Sequence, residues 1–442
     1  MRSYLCLDES ARAEMRSVLG IRSEQELFSD IPPDIRHTGA VDLKGPLDEL
    51  STKREFSRMG DKNIKIRSCF LGAGAYRHFI PSVVDHLANR SEFYTAYTPY
   101  QAEMSQGMLQ AIFEYQSLVC ELTGMDAANA SHYDGATAAA EAMLMCRAAT
   151  KRDEVLVSST LHPHYKEVIK TYAGAAGIQL RFIPMKNGLT DIYKLMEMCS
   201  PRTAGVIIAQ PSFFGCVEDV FACSDITHGQ GALLAVVLDP IPLPVLAAPG
   251  EYADIAVGEG QSWGLPLSFG GPYLGYMAVK EKYTRNLPGR IAGIAYDAQG
   301  RKGYVLTLQA REQHIRREKA QSNICSNQAY CALRAAIHIS AMGEPGLSEM
   351  ARQCYDNAHY LYEKLLPLDG FSPAFDAPFF REFTIKCDRD IGEINKKLLV
   401  HGILGGLDLT PYGLPGHWLW CATELNTSKE IEELAAILEV GA

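Results

Sequence analysis

Five stretches of the chain carry side chains suited to chemistry. The densest is Tyr94-Thr95-Ala96-Tyr97-Thr98-Pro99-Tyr100-Gln101-Ala102-Glu103. Pro99 biases Thr98 toward extended backbone, so an ordered loop is expected here rather than a helix. Its phenol, hydroxyl and amide groups suit the orienting of a small polar ligand; the plainer reading is a packed entry loop to the helix that follows. Tyr133-Asp134-Gly135-Ala136-Thr137 opens an alanine-rich helix. Backbone N–H groups at such a start suit a phosphate or carboxylate. Asp134 would repel an anion, however, and a glycine before alanines serves close packing equally well. His162-Pro163-His164-Tyr165 offers two histidines with no third ligand nearby. That pattern points to stacking or hydrogen bonding in a cleft, or to a simple helix-entry turn, and not to a metal. Asp239 closes the apolar run LLAVVL. A carboxylate at the C-terminal end of a central parallel strand faces the crevice where α/β folds take ligands. The glycine-rich Gly258-Glu259-Gly260-Gln261-Ser262-Trp263-Gly264 and Ser268-Phe269-Gly270-Gly271-Pro272 follow, as ligand-approach loops or as a brace for the sheet edge. Last, Arg316-Arg317 runs into the neutral polar loop Ser322–Asn327, a combination suited to a carboxylate or an acidic partner surface.

These residues need a scaffold to hold them. Residues 155–158, 179–183, 206–209, 233–238, 253–257 and 273–279 read as short apolar strands, with helices expected at 164–173 and 191–198. Near-continuous apolar strands alternating with helices mean a mostly parallel sheet covered on both faces, an α/β layer fold. Beyond about residue 325, helices are expected at 328–342 and 349–366. A strand at 380–386, a loop at 404–415 and a final helix at 428–439 complete an α+β tail. The first sixty residues carry short helical stretches and turns, such as Ile31-Pro32-Pro33-Asp34, but no strong strand. They read as an arm that packs on something else. The expected division is an N-terminal arm over 1–70, a large α/β domain over 71–325 and a smaller α+β domain over 326–442.

Composition removes several classes. The 442 residues hold 42 Lys+Arg against 52 Asp+Glu, a net charge of −10, with 47% hydrophobic and 21% charged residues. That is ordinary for a folded globular protein. The negative balance speaks against nucleic acid, whose phosphates want a basic surface. No apolar run approaches the roughly 20 residues of a membrane span. The start shows no secretory pattern, so a cytoplasmic location is expected. The 12 cysteines are scattered singly with no CxxC, and read as small buried hydrophobes with no metal site.

Taken in order, the motifs resemble the P-protein family of the glycine cleavage system, and most closely the N-terminal half of its single-chain members. The segments that carry the resemblance are DIPPDIR (30–36), FLGAGAYRHFIP (70–81), YTPYQAEMSQGMLQAIFEYQ (97–116), ELTGMDAANASHYDGATAAAEA (121–142), LSFGGPYLGYMA (267–278) and QAREQHIRREKAQSNICSNQ (309–328). The resemblance implies a fold-type-I pyridoxal-phosphate architecture and an oxidoreductase of glycine catabolism, glycine dehydrogenase (decarboxylating). It also implies assembly with a homologous β subunit as an α2β2 heterotetramer. The family's substrates are glycine and the lipoyl group of H-protein; CO2 leaves and an aminomethyl group stays on the lipoyl arm. The chemistry needs a lysine that forms a Schiff base with the cofactor, yet no lysine occurs between Lys194 and Lys280. Aligning on the Gly-Gly-Pro turn puts Gln261 at the position of the family's catalytic lysine. This chain is therefore expected to hold no cofactor covalently. Pyridoxal phosphate is expected on the β subunit, and Asp134, Gly135, His162 and Asp239 then mark a degenerate site. Tyr97, Thr98, Tyr100 and Gln101 are expected to wall the shared site at the subunit interface, with Arg77, Ser322 and Asn323 as secondary contacts. The alternative is a free-standing scaffold that kept the fold and lost the chemistry.

Overall fold

In a computed structural model the described residues are 8–37, 39, 41–308, 315–320, 322 and 324–440. The chain forms two units, one ending at Asn63 and the other beginning at Ile64. In the first, helices Glu9–Leu19 and Glu49–Gly60 each start at an aspartate whose side chain accepts a backbone N–H, Asp8 from Ala11 and Asp48 from Ser51. Such caps satisfy N–H groups that a helix start leaves unpaired. No side chain of these two helices is buried. Val18, Leu19, Leu43 and Phe56 stand exposed.

The second unit is built on a seven-stranded sheet: β1 (Ala127–Ala128), β2 (Glu154–Ser158), β3 (Gln179–Ile183), β4 (Thr203–Gln210), β5 (Leu233–Leu238), β6 (Ile255–Glu259) and β7 (Gly275–Val279), in the spatial order β1-β7-β6-β5-β4-β2-β3. β7 is antiparallel to both neighbours; the pairs from β6 to β3 are parallel. Alternate side chains divide between two cores. Leu156, Val206, Ile208, Leu234 and Val236 face one, closed by α1 (Gln106–Thr123) and α4 (Asn327–Leu365). Val155, Val157, Ile207, Ala235 and Val237 face the other, closed by α2 (Gly135–Thr150) and α3 (Pro163–Ala176). Burial on both faces explains why β2, β4, β5 and β7 read as unbroken apolar runs.

A four-stranded sheet follows: β8 (Phe371–Pro373), β9 (Glu382–Cys387), β10 (Leu407–Asp408) and β11 (His417–Cys421), in the order β8-β9-β11-β10. Its core takes Phe70, Phe383, Trp418 and Trp420, and also Ala358, Leu361 and Leu365 from the last turns of α4. The two helices expected at 328–342 and 349–366 are present within Asn327–Leu365, meeting at a kink at Gly343 (φ 61°, ψ 178°), two residues before Pro345. The left-handed φ there is one that glycine adopts without a Cβ penalty. The stretch 404–415 is not all loop, because β10 and the turn Thr410–Tyr412 fall in it. A hairpin of Ile291–Tyr296 and Lys302–Thr307 is an element that the strand pattern did not announce.

Candidate active site

The parallel strands deliver their C-terminal ends to one edge of the sheet, where the crevice of an α/β fold lies. β5 hands on to Asp239, β6 ends at Glu259, and Asp239 N–H donates to Gln210 O at the end of β4 (3.2 Å). Across the crevice stand Arg381, just before β9, and Glu382, the first residue of β9. Arg381 forms an ion pair with Asp239 and is 2% exposed. Its guanidinium carbon lies 3.4 Å from the centroid of the Tyr76 ring, a cation–π arrangement. Burial is the largest single influence on the Arg381 pKa and pulls it down, but Asp239, Tyr76 and the other neighbours together outweigh it and the net shift is upward. A cavity of about 80 Å³ remains among Tyr76, Tyr165, Asp239, Glu259, Arg381 and Glu382.

Glu259 sits at the start of α2. Its Oε2 accepts Gly135 N–H (3.0 Å), and its Oε1 accepts Gln261 N–H (3.0 Å) and Leu274 N–H (2.9 Å). Burial raises its carboxyl pKa to about 8, against the lowering pull of these N–H donors. Asp134 completes the helix start by accepting Thr137 N–H at 2.7 Å. Only glycine fits at 135, since a Cβ there would lie 2.2 Å from Tyr165 Oη.

Gln261 is 2% exposed and fully engaged. Its Oε1 accepts Tyr76 N–H (3.1 Å); its Nε2 donates to Tyr76 O (3.0 Å) and Leu265 O (2.7 Å). The amide thus clamps the loop that carries the FLGAGAYRHF motif across the crevice. The loop has further ties: Ala73 N–H and Tyr76 O–H both donate to Glu382 (2.6 and 2.7 Å). His162 donates from Nε2 to Ala73 O (2.9 Å) and accepts His164 N–H on Nδ1 (3.1 Å), so it is neutral with its proton on Nε2. Burial lowers its pKa to about 4. Its ring also meets Phe213 edge-on at 4.9 Å. His162 thus hydrogen-bonds in a cleft, packs edge-on against Phe213 and caps the start of α3.

Lys280 lies at the opposite edge of the sheet, just past Val279, which pairs with Ile255 at the start of β6. Its amine donates to Gly250 O there. The buried trio His78, Cys354 and Glu424 gathers three atoms of metal-ligand type. Both ring nitrogens of His78 are already engaged, Nδ1 with Glu424 (2.8 Å) and Nε2 with the Arg381 guanidinium.

The tyrosine loop is elsewhere. Thr98 Oγ1 and Ser326 Oγ share a hydrogen bond, and Tyr97, Thr98 and Pro99 line a narrow cleft with Ser131, Arg290 and Cys325. Arg290 donates to Tyr100 Oη (3.2 Å) and lies 5.4 Å from that ring's centroid. Tyr97 is 81% exposed, and Gln101 is exposed too. None of these residues lines the Asp239 cavity. Arg77 is exposed; Ser322 lies beside Glu141, in a separate hollow. Asn323 and residues 309–314 lie outside the described residues, whereas Arg316 and Arg317 are described and exposed.

The sequence reading named Glu259 only as part of its glycine-rich loop and gave no site role to Arg381, Glu382 or Arg290. A signal existed for all but Arg290. Glu259 is two residues from Gln261, and Arg381-Glu382 interrupts the apolar run around Phe380 and Phe383. A charged pair inside a buried strand calls for an internal partner.

The sheet order, the crossing helices and a strand-end aspartate facing the crevice define the fold-type-I pyridoxal-phosphate enzyme class. Two solved structures under 25% identical share this fold: a glutamate decarboxylase of Lactobacillus brevis (TM-score 0.68, 12% identity, 92% of this chain and 95% of that one) and a sphingosine-1-phosphate lyase of Burkholderia pseudomallei (TM-score 0.65, 15% identity, 92% and 94%). A much nearer match is a crystal structure of glycine decarboxylase (P-protein) of the glycine cleavage system in inhibitor-bound form, with TM-score 0.90 and 40% identity over 100% of both chains. The family profile described as "Glycine cleavage system P-protein" matches residues 2–438. The chain belongs to that family. Among curated relatives it is 51% identical to the probable glycine dehydrogenase (decarboxylating) subunit 1 of Desulforamulus reducens, over 97% of this chain and 98% of that one. It is 50% identical to the subunit 1 of Moorella thermoacetica, over 99% of both. Among the described residues no helix is long and apolar enough to cross a membrane.

Proposed function

We propose that this chain is the cofactor-free α subunit of a two-chain glycine decarboxylase. With a β subunit it decarboxylates glycine, releases CO2 and passes the aminomethyl group to the lipoyl arm of H-protein. One observation carries the reading: where the class needs a lysine amine, the chain has Gln261, an amide committed to Tyr76 and Leu265. Pyridoxal phosphate, when bound, supplies the electron sink for decarboxylation. The residues present do not fit it, since an amide forms no imine and no lysine lies between Lys194 and Lys280. No step is therefore assigned to this chain's own crevice, and the cofactor belongs to the β subunit.

The chain's contribution is a wall of the β subunit's site. Tyr97, Thr98, Tyr100 and Gln101 supply hydroxyl and amide groups that orient glycine, with Arg77, Ser322 and Asn323 as further contacts. Holding the scissile bond in its reactive orientation is worth several powers of ten in rate. Two facts support this assignment: the loop is exposed, and it lies apart from the chain's own crevice. The assembly is an α2β2 tetramer in the cytoplasm. The arm over 1–70, in which Val18, Leu19, Leu43 and Phe56 stand exposed, clasps a neighbour, while the divisions 71–325 and 326–442 form the large and small domains. Arg316 and Arg317 offer local positive charge to an acidic partner.

Co-expression with a candidate β chain tests the reading. Glycine–bicarbonate exchange with lipoylated H-protein is measured for each chain alone and for the pair, and only the pair is expected to be active. Full exchange by the β chain alone, unchanged by this chain, would defeat the proposal in favour of a free-standing scaffold.

A further inference from the structure

Two of the chain's own side chains meet the crevice's polar anchors in a pattern that matches the cofactor's two polar ends. A pyridoxal-phosphate site offers an aspartate to the ring nitrogen and helix-start N–H groups to the phosphate. Here the aspartate, Asp239, meets a flat cation, the Arg381 guanidinium, covered by the Tyr76 ring at 3.4 Å. The first N–H of α2, on Gly135, meets the carboxyl group of Glu259 at 3.0 Å. A cavity of about 80 Å³ remains beside Asp239 and Arg381, and a hollow of about 500 Å³ adjoins it at the start of α2, lined by Asp134, His162, Tyr165 and Glu259.

We infer that Arg381 and Glu259 are built-in substitutes for the pyridinium and the phosphate, so that Asp239 and the Gly135 N–H are paired without any cofactor. The inference rests on the reading of this chain as the cofactor-free subunit and adds a cause to it. Loss of the lysine is not the only barrier to cofactor binding, because both polar anchors are already taken. The substitution also holds the crevice together. The Tyr76 ring is seated on Arg381, and Glu382, next in sequence, fixes the same loop through Ala73 N–H and Tyr76 O–H. An empty cofactor site would instead leave Asp239 buried beside no counter-charge, which is costly.

The test uses the full chain and pyridoxine 5′-phosphate, which has the ring nitrogen and phosphate but no aldehyde, so that binding does not depend on a lysine. Equilibrium dialysis is run on the wild type, Arg381→Met, Glu259→Ala, the double variant and the charge-keeping Arg381→Lys. The expected result is negligible binding to the wild type and to Arg381→Lys. Each vacating variant should gain about tenfold or more in affinity, and the double variant the most. A folded double variant no tighter than the wild type overturns the inference. Should the Arg381→Met variants fail to fold, Gln261→Lys alone decides: it should fix no pyridoxal phosphate on borohydride reduction, and uptake by that single variant overturns the inference. Failure of the underlying reading looks different, because there the wild type itself would fix pyridoxal phosphate under borohydride.

Discussion

The crevice below Asp239 and the loop from Tyr97 to Gln101 are both polar, and they meet water in opposite ways. In the crevice the polar side chains pair with one another: Arg381 with Asp239, Glu382 with Tyr76, Gln261 with the Tyr76 and Leu265 backbone. The tyrosine loop leaves Tyr97 81% exposed and is pinned at its base by Thr98 with Ser326 and by Arg290 with Tyr100. Polar groups that pair internally stabilise a fold and bind little else. Polar groups held rigid at the surface are available to another molecule. The contrast puts the mutually paired groups in the crevice and leaves the loop's phenol at the surface, where the proposed contact with a β subunit needs it.

That contrast can be broken from either side. The largest expected effect is Arg381→Met, which leaves Asp239 buried without its counter-charge. Stability from urea denaturation should fall by about 3–5 kcal/mol. A loss below about 1 kcal/mol would mean that the pair does not hold the crevice.

Next comes the pH dependence carried by Glu259. Its folded pKa of about 8 lies above its ordinary value of 4.5. The folded state therefore keeps a proton that the unfolded state has lost. The contribution is fully present below pH 4.5 and is lost as pH rises through about 8. The swing should be on the order of a few kcal/mol. Glu259→Gln should flatten that part of the stability profile, and an unchanged profile would show that another group carries it.

Gln261→Leu should cost about 1–3 kcal/mol, because Tyr76 N–H and two carbonyls lose their buried partner. Faster hydrogen exchange over residues 72–78 should accompany the loss.

The smallest effect on stability is expected from Tyr97→Phe/Tyr100→Phe, within about 0.5 kcal/mol. The same pair should lower glycine–bicarbonate exchange of the assembled enzyme by about tenfold or more. Unaltered exchange would remove these two phenols from the wall.

Much of the fold was legible because its signals are local. Buried parallel strands announce themselves as apolar runs such as LLAVVL, and a proline after Thr98 marks a loop whatever surrounds it. The hairpin of Ile291–Tyr296 and Lys302–Thr307 was not legible. Its first strand, IAGIAY, is apolar but rich in glycine and alanine, and its second, KGYVLT, is mostly half-buried, so neither carries the branched apolar run of a central strand. The two expected helices meet at the kink at Gly343, and α4 as a whole serves two cores at once.

The sequence by itself determined the family, through long matching motifs, and determined that no lysine stands between residues 194 and 280. Both are properties of residue identity and need no coordinates. Only the tertiary structure decided what fills the space where an amine would reach. The partners of Asp239 and of Gly135 are brought to the crevice by β9 and β6, elements far from them along the chain. Pairing of that kind is set by how the strand ends converge. No spacing in the sequence encodes it, because the buried charges choose their partners only once packing has excluded water.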